Sequence, residues 1–206
     1  MDDAARAAEA LAAGRLVILP TETVYGLAAD AANAAAIAAL YEAKGRPRFN
    51  PLIAHVADLA AAEAIAELDG RARTLAGAFW PGPLTVVAPI RPGGAVCDLA
   101  RAGLDTVAVR VPAHPLARAV LAAFAGPVAA PSANRSGHVS PTQASHVMED
   151  LDGRIDAVVD GGPTMIGLES TIIACLSAKP ILLRAGGIPR EAIERVVGKL
   201  GGDGEG

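Results

Sequence analysis

The 206-residue sequence has few aromatic residues, few cysteines and no long uncharged apolar run. Phe, Trp and Tyr together make up 3% of the chain, whereas hydrophobic residues make up 52%, so the core is expected to consist of Ala, Val, Leu and Ile. This hydrophobic share is enough for one sizeable core, and abundant alanine favours helices wherever no strand pattern intervenes. An α/β fold is therefore the first prediction.

Cysteine spacing and the lack of long apolar runs exclude several kinds of protein. Cys97 and Cys175 show neither a CxxC pattern nor a Cys/His spacing, so we expect buried free thiols and no metal site. The acidic N-terminus lacks the basic start and apolar run of a signal peptide. No stretch of about 18 uncharged apolar residues could span a membrane. A cytoplasmic location without a membrane partner is expected.

The formal net charge of −4 argues against a broad, sequence-independent grip on nucleic acid, which needs a basic surface. A local basic pocket, with weak RNA binding, remains compatible with this charge. The sequence also lacks the GxxxxGK[ST], GxGxxG and HExxH motifs. A bound nucleotide would therefore be held by a less familiar arrangement.

Hydrophobic periodicity and turn residues divide the chain into alternating helices and strands. The predicted helices cover 3–13, 58–68, 70–79, 114–125 and 189–200. Two further helices are predicted, one capped by Asn33 and ending at Lys44, and one beginning near Thr142. The predicted strands cover 16–19, 52–56, 84–90, 106–111, 127–130, 156–159, 170–175 and 181–184. The last three strands follow one another closely, so a mixed sheet is predicted. Residues 1–200 are expected to form one domain and the glycine-rich 201–206 a disordered tail.

The predicted strand TVAVRV at 106–111 carries the most informative pattern. Side chains alternate across a strand, so the valines share one face while Thr106, Ala108 and Arg110 share the other. The valine face suits the core. Arg110 among valines either reaches solvent or requires an anionic partner, and the strand alone leaves both alternatives open.

Two other predicted strands each carry one polar residue that could serve a ligand. His55 lies in LIAHV at 52–56, where a single histidine is more often structural than functional. Arg184 closes ILLR at 181–184 and so stands at a strand end, where ligands meet open α/β sheets. This position favours a binding role for Arg184 without deciding it.

Two loops are rich in groups that could contact an anion. Lys44 belongs to a typical helix end, but Arg46, Arg48 and Asn50 follow at once and supply several donors for phosphate groups. The loop 131–137 lies after a strand and before a helix, a common place for ligands.

Ser140 has two compatible explanations. With Pro141 at the first helical position and Gln143 reaching back, Ser140 fits the N-cap of a capping box. A helix N-terminus also attracts phosphate, so a cap and a ligand site could coincide.

Taken in order, eight segments resemble the YrdC-like threonylcarbamoyl-AMP synthases. These segments are 20–27 (PTETVYGL), 44–47 (KGRP), 50–52 (NPL), 80–85 (WPGPLT), 109–112 (VRVP), 130–137 (APSANRSG), 140–142 (SPT) and 169–172 (ESTI). Several motifs in the family's order are far more specific than any single motif. The resemblance implies a twisted mixed parallel/antiparallel sheet with flanking helices and a large concave cavity. Some family members carry a second C-terminal domain, but the short remainder after Arg184 leads us to expect a single-domain form.

The resemblance also implies an activity. The substrates would be L-threonine, bicarbonate and ATP with Mg²⁺, and the products threonylcarbamoyl-AMP and pyrophosphate. The threonine amine would attack bicarbonate to give a carbamate, whose oxygen would attack the α-phosphate of ATP. A separate transferase would then use the adenylate to form threonylcarbamoyladenosine in tRNA.

Carried over position by position, the resemblance assigns the site residues. The L-threonine site would contain Thr23, His55, Arg110, Ala130 and Ser170. ATP would be held by Arg46, Asn50, Thr106, Ser132, Asn134, Ser140 and Arg184. Lys44 and Arg46 would neutralise charge at phosphorus and are the catalytic candidates.

Two other functions stay open. A carbamoyl-adenylate-forming enzyme of the same fold would need further acylphosphatase-like, zinc-binding or transferase regions, for which 206 residues and two cysteines leave no place. A non-catalytic RNA-binding module would use the concave face, and it would bind tRNA tightly and in a salt-sensitive manner without ATP turnover.

Overall fold

The computed structural model describes residues 3–201, and in this range nine strands and seven helices alternate along most of the chain. The strands are β1 (Val17–Leu19), β2 (Gly26–Asp30), β3 (Ile53–His55), β4 (Leu84–Pro89), β5 (Thr106–Arg110), β6 (Val128–Ala129), β7 (Ala157–Val158), β8 (Thr171–Ala174) and β9 (Ile181–Arg184). The helices are α1 (Asp3–Ala12), α2 (Ala34–Lys44), α3 (Leu59–Ile65), α4 (Gly70–Phe79), α5 (Pro115–Phe124), α6 (Ala144–Leu151) and α7 (Arg190–Val197).

The strands form one mixed sheet in the order β7-β1-β2-β6-β3-β5-β4-β8-β9. The pairs β1–β7, β3–β5 and β4–β8 are parallel, and the other neighbours are antiparallel. Buried side chains form two apolar clusters, with Val17 and Leu19 in one and Ile18 in the other. Because side chains alternate across a strand, this division puts a core on each face of the sheet. The predicted α/β fold with a mixed sheet and flanking helices is confirmed.

The interior strand β2 was not predicted. Its sequence, GLAAD, has no β-branched residue, so local propensity gives no strand signal. It lies between β1 and β6, and Leu27 and Ala28 are fully buried. A Cβ atom at Gly26 would lie only 3.1 Å from the Cβ of Ala130, so glycine lets the chain approach its neighbour here. Tertiary packing, rather than propensity, makes this segment a strand.

The predicted ends of α2 are confirmed, whereas the predicted start of α6 is wrong. Asn33 Oδ1 accepts hydrogen bonds from the backbone of the first turn of α2, and Gly45 ends the helix with φ at 58°. The predicted capping box at Ser140 is wrong, because α6 begins at Ala144. The carbonyl of Pro141 instead accepts the N–H of Tyr25 at 2.9 Å, a long-range bond that keeps this segment extended.

The cysteines and the chain end correct two smaller predictions. Both cysteines are free, but Cys97 is only half-buried, whereas Cys175 is buried and this burial raises the pKa of its thiol to about 12. Gly201 forms a bridge with Ile181, so the first residue of the predicted tail is ordered, and residues 202–206 lie outside the described range. Within 3–201, every helix is too short or too polar to cross a bilayer.

Candidate active site

A pocket of about 130 Å³ lies where the loops after β1, α2 and β6 meet β3, the end of β5 and the strands β8 and β9. It is lined by Thr23, Val24, Arg46, Pro51, Leu52, Ile53, His55, Arg110, Ala130, Pro131, Ser132, Glu169, Ser170, Ile172 and Arg184. Six of the eight segments that resemble the synthases therefore contribute to the pocket wall, and the segments 80–85 and 140–142 do not. The large concave cavity that the resemblance implies remains a prediction.

Positive charge dominates the pocket wall. Three arginines, Arg46, Arg110 and Arg184, line it, and Glu169 is the only carboxylate lining it among residues 3–201. Burial is the main cause that lowers the pKa of Arg46, and the neighbouring charge of Arg184 lowers it further. Arg46 Nε is buried and finds no hydrogen-bond partner in the described part of the chain. Such a wall favours an anionic ligand, because part of its cationic charge is left uncompensated.

Arg110 is 3% exposed and has an anionic partner, which excludes the alternative that it reaches solvent. Its Nη2 atom lies 2.5 Å from Glu22 Oε1, Nη1 donates to Thr23 Oγ1 at 3.0 Å, and Nε donates to the Gly82 carbonyl at 3.1 Å. Glu22 Oε2 accepts the backbone N–H of Ala113 at 3.0 Å, which fixes the carboxylate. Arg110 is thus held rigidly at the end of β5.

The donor count of Arg110 shows what it can still bind. A guanidinium carries five N–H groups, and the contacts above use one on each nitrogen. One N–H on each terminal nitrogen is left without a partner among the described residues. Two such donors match the two oxygens of a single carboxylate.

Thr23 belongs to a hydrogen-bond chain with a defined direction. The Thr21 hydroxyl donates to the Val24 carbonyl at 2.6 Å, so the 2.8 Å contact between the two threonine hydroxyls must be donated by Thr23. The only hydroxyl proton of Thr23 is therefore donated to Thr21, and the Thr23 oxygen accepts a hydrogen bond from Arg110. Towards a ligand its hydroxyl can only accept, which suits an ammonium or hydroxyl group.

Ser170 and Arg184 form a second polar group in the pocket. Arg184 donates to the Ser170 carbonyl from Nε at 3.1 Å and from Nη2 at 3.0 Å, and it pairs with Glu169 through Nη1. The Ser170 hydroxyl lies 2.8 Å from Thr85 Oγ1. The side chain of Arg184 is 35% exposed, so it lies nearer the mouth than Arg110.

His55 is a neutral group in the pocket wall. It is 4% exposed, and its Nδ1 atom lies 3.2 Å from the Ile53 carbonyl. Burial lowers the pKa of its imidazole to about 3, and the charge of Arg110 acts in the same direction. A neutral imidazole can exchange a hydrogen bond with a ligand without adding charge.

The buried state of His55 predicts a dependence of stability on pH. In the unfolded chain the His55 imidazole binds a proton below its ordinary pKa near 6.5, whereas in the folded chain it stays neutral down to about pH 3. Acid therefore favours unfolding. This group should add about 1.4 kcal/mol per pH unit to the slope of the free energy of unfolding in that window. The slope should be smaller by that amount in His55→Gln, measured by urea unfolding at pH 7, 6, 5 and 4. Equal slopes in both proteins would show that His55 is not buried as a neutral group.

Lys44 and Asn134 lie behind the pocket rather than in its wall. Lys44 is 2% exposed, and its ammonium donates to the carbonyls of Ser132 and Asn134. Burial lowers the pKa of Lys44 to about 8, with a further contribution from the charge of Arg46. The Asn134 side-chain amide donates to the carbonyl of His138 at 2.7 Å. Both residues shape the loop 131–137, which carries Ser132 into the pocket.

The predicted site residues thus fall into two sets. All the residues predicted for L-threonine line the pocket, as do Arg46, Ser132 and Arg184 from the ATP set. Lys44, Asn50, Thr106, Asn134 and Ser140 are not in its wall. Thr106 stands at the start of β5, roughly 13 Å along the strand from Arg110. The roles of both sets remain predictions.

Sequence reasoning missed the two carboxylates of the site. Glu22 and Glu169 both stand inside segments that match the family, yet neither was assigned a role. Glu22 lies 88 positions from Arg110 in the sequence, so no local pattern predicts this ion pair. For Glu22, the available signal was a single acidic residue in the otherwise uncharged segment 20–27.

The fold and the pocket define an α/β protein with an arginine-lined pocket, and comparison with known proteins identifies the family. A family model for Sua5, YciO and YrdC, described as "Telomere recombination", matches residues 9–186. The chain belongs to this family.

Several relatives carry the same name. The threonylcarbamoyl-AMP synthase of Bacillus subtilis (strain 168) is 52% identical over 200 residues, covering 95% of this chain and 57% of the relative. That of Pyrococcus abyssi is 50% identical, covering 91% and 55%. A putative threonylcarbamoyl-AMP synthase of Mycobacterium tuberculosis (strain ATCC 25618 / H37Rv) is 40% identical, covering 92% and 86%. The chain thus spans a little over half the length of the first two relatives.

Two solved structures have the same fold as this chain. P. abyssi Sua5 complexed with L-threonine has a TM-score of 0.92 at 49% identity, covering 96% of this chain and 58% of that chain. Escherichia coli YciO has a TM-score of 0.82 at 20% identity, which supports the fold alone.

Proposed function

We propose that the protein is an L-threonylcarbamoyladenylate synthase, a nucleotidyltransferase that converts L-threonine, bicarbonate and ATP into threonylcarbamoyl-AMP and pyrophosphate. The observation that carries this proposal is the convergence of Arg46, Arg110 and Arg184 on one pocket that also contains a neutral His55. The relatives named threonylcarbamoyl-AMP synthase, at up to 52% identity, support it.

The inner part of the pocket has the groups that L-threonine needs. The two unused N–H groups of Arg110 suit the α-carboxylate, and the Thr23 hydroxyl can accept a bond from the amine or the side-chain hydroxyl. His55 and Ser170 supply further hydrogen-bond partners without net charge. The solved complex of P. abyssi Sua5 with L-threonine supports L-threonine as the ligand.

The outer part of the pocket suits the phosphates of ATP. Arg46 and Arg184 would neutralise the triphosphate, with Ser132 as a further donor. No group of three or more His, Cys, Asp or Glu residues suited to a metal ion occurs within 3–201, so Mg²⁺ would enter on the phosphates rather than in a protein cage. Bound there, Mg²⁺ would offset phosphate charge during the transfer.

The reaction then requires positioning more than covalent catalysis. The free amine of threonine attacks the carbon of bicarbonate, and water leaves to give the carbamate. A carbamate oxygen attacks the α-phosphorus, and the bond to the β-phosphate oxygen breaks to release pyrophosphate. Arg110 would hold the carboxylate while Arg46 compensates the charge that develops at phosphorus.

The direct test is incubation of the purified protein with ATP, bicarbonate, L-threonine and Mg²⁺. We expect threonine-dependent pyrophosphate release and a product with the mass of threonylcarbamoyl-AMP. Omission of bicarbonate or threonine is the control. If neither product appears while carbamoyl phosphate supports adenylate formation, or while the protein binds tRNA tightly, the proposal is wrong. Transfer of the product to tRNA by a separate transferase, and a cytoplasmic location, remain parts of the proposal.

A further inference from the structure

We infer that Glu169 is an internal competitor for the phosphate-binding groups, and that its carboxylate must leave Ser140 and Arg184 before the phosphates of ATP can bind there. The inference rests on the proposed function for the identity of the ligand. It adds a specific role for a residue in the pocket wall that neither the sequence motifs nor the relatives' names assign.

The contacts of Glu169 carry the first step. Its Oε1 atom accepts a bond from the Ser140 hydroxyl at 2.9 Å, and Oε2 pairs with Arg184 Nη1. One carboxylate therefore spans two side chains that the family resemblance assigns to ATP. A carboxylate and a phosphate use the same donors, since both present anionic oxygens to hydroxyl and guanidinium groups. While Glu169 holds them, the Ser140 hydroxyl proton and one Nη1 N–H of Arg184 are not available to a nucleotide.

A comparison of the two Glu–Arg pairs of the site indicates which carboxylate an anion can displace. The Glu22 and Arg110 side chains are 7% and 4% exposed, whereas those of Glu169 and Arg184 are 33% and 35% exposed. Breaking a buried pair leaves a charge without solvent, but half-exposed groups regain water when they separate. The Glu169 pair is therefore the one that a multivalent anion can displace.

The backbone around Glu169 shows how the exchange would occur. The N–H groups of Ile166 and Gly167 donate to the carbonyls of Glu22 and Thr23 at 2.9 and 3.0 Å. The Glu169 carbonyl accepts the N–H of Gly187 at 3.0 Å. Because the loop is tied on both sides, Glu169 would leave by rotation of its side chain rather than by opening of a lid.

Titration with inorganic pyrophosphate tests the inference without requiring turnover. The dissociation constant would be measured by calorimetry at fixed ionic strength for the full chain and for Glu169→Gln, which keeps the shape and removes the charge. We expect binding about two- to tenfold tighter in the variant, the range supported by loss of a half-exposed ion pair and of one repulsive charge. Glu9→Gln, an exposed site on α1, makes the same change in net charge and should leave pyrophosphate binding unchanged.

Two further variants separate competition from a general charge effect. The gain from Glu169→Gln should disappear in an Arg184→Gln background, because the donor that is released is then missing. Glu169→Asp, with a shorter side chain that spans the two partners less well, should give a smaller gain in the same direction. Unchanged or weaker pyrophosphate binding by Glu169→Gln would overturn the inference. Absence of threonine-dependent synthesis would overturn only the proposed function, because the titration needs no threonine.

Discussion

Replacing Arg110 with glutamine is expected to destabilise the protein by about 3–5 kcal/mol, because it leaves the Glu22 carboxylate buried and unpaired. The same change removes the group assigned to the threonine carboxylate, so threonine-dependent adenylate formation should fall by at least about a hundredfold. Urea unfolding and the rate of pyrophosphate release measure the two effects. Both follow from one side chain that is 3% exposed and hydrogen-bonded through every nitrogen.

A double variant separates these two consequences. Glu22→Gln together with Arg110→Gln removes both charges, so most of the lost stability should return while synthesis stays reduced by at least about a hundredfold. An Arg110→Gln protein that retains normal KM for L-threonine would show that Arg110 does not bind the carboxylate. A single variant as stable as the parent would show that the pair with Glu22 is not buried as the structure describes.

Alanine at Lys44 and alanine at Arg46 should reduce synthesis for different reasons. Arg46 lines the pocket, so Arg46→Ala should lower turnover by about a hundredfold or more with less than about 1 kcal/mol lost in stability. Lys44 is buried and holds two carbonyls of the loop 131–137, so Lys44→Ala should cost about 2–4 kcal/mol. Its effect on turnover would then come through displacement of Ser132.

Arg48→Ala is the matched control for these two variants. Arg48 lies on the same loop as Arg46, but it is exposed and does not line the pocket. Its removal should change turnover by less than about threefold. Turnover and unfolding curves for the single variants and for the Lys44→Ala, Arg46→Ala double variant complete the series. Intact synthesis in the double variant would refute the catalytic assignment of both residues.

The parts of the structure that follow from local rules were predictable from the sequence. Alternation along β5 places Val107 and Val109 in the core and Arg110 on the pocket face, as the pattern indicated. The ends of α2 at Asn33 and Gly45 depend on contacts within a few residues, so sequence chemistry was sufficient there as well.

The predictions that were wrong or missing concern features that depend on contacts between distant segments. Strand β2 is buried between β1 and β6 and needs small side chains, which carry no strand propensity. Ser140 satisfies the local rule for a helix cap, yet its hydroxyl donates to Glu169, 29 positions away. The ammonium of Lys44 likewise has acceptors about 90 positions away, so its role in shaping a loop could not be seen locally.

The two halves of the pocket are anchored at very different depths in the sheet. Arg110 closes β5, which has neighbours on both sides, whereas Arg184 closes β9, an edge strand with one partner and a register shift beside it. Edge strands open locally at a lower free energy than central ones. Mild heating or denaturant would therefore loosen the part of the pocket proposed for ATP first, while the part proposed for L-threonine was still intact.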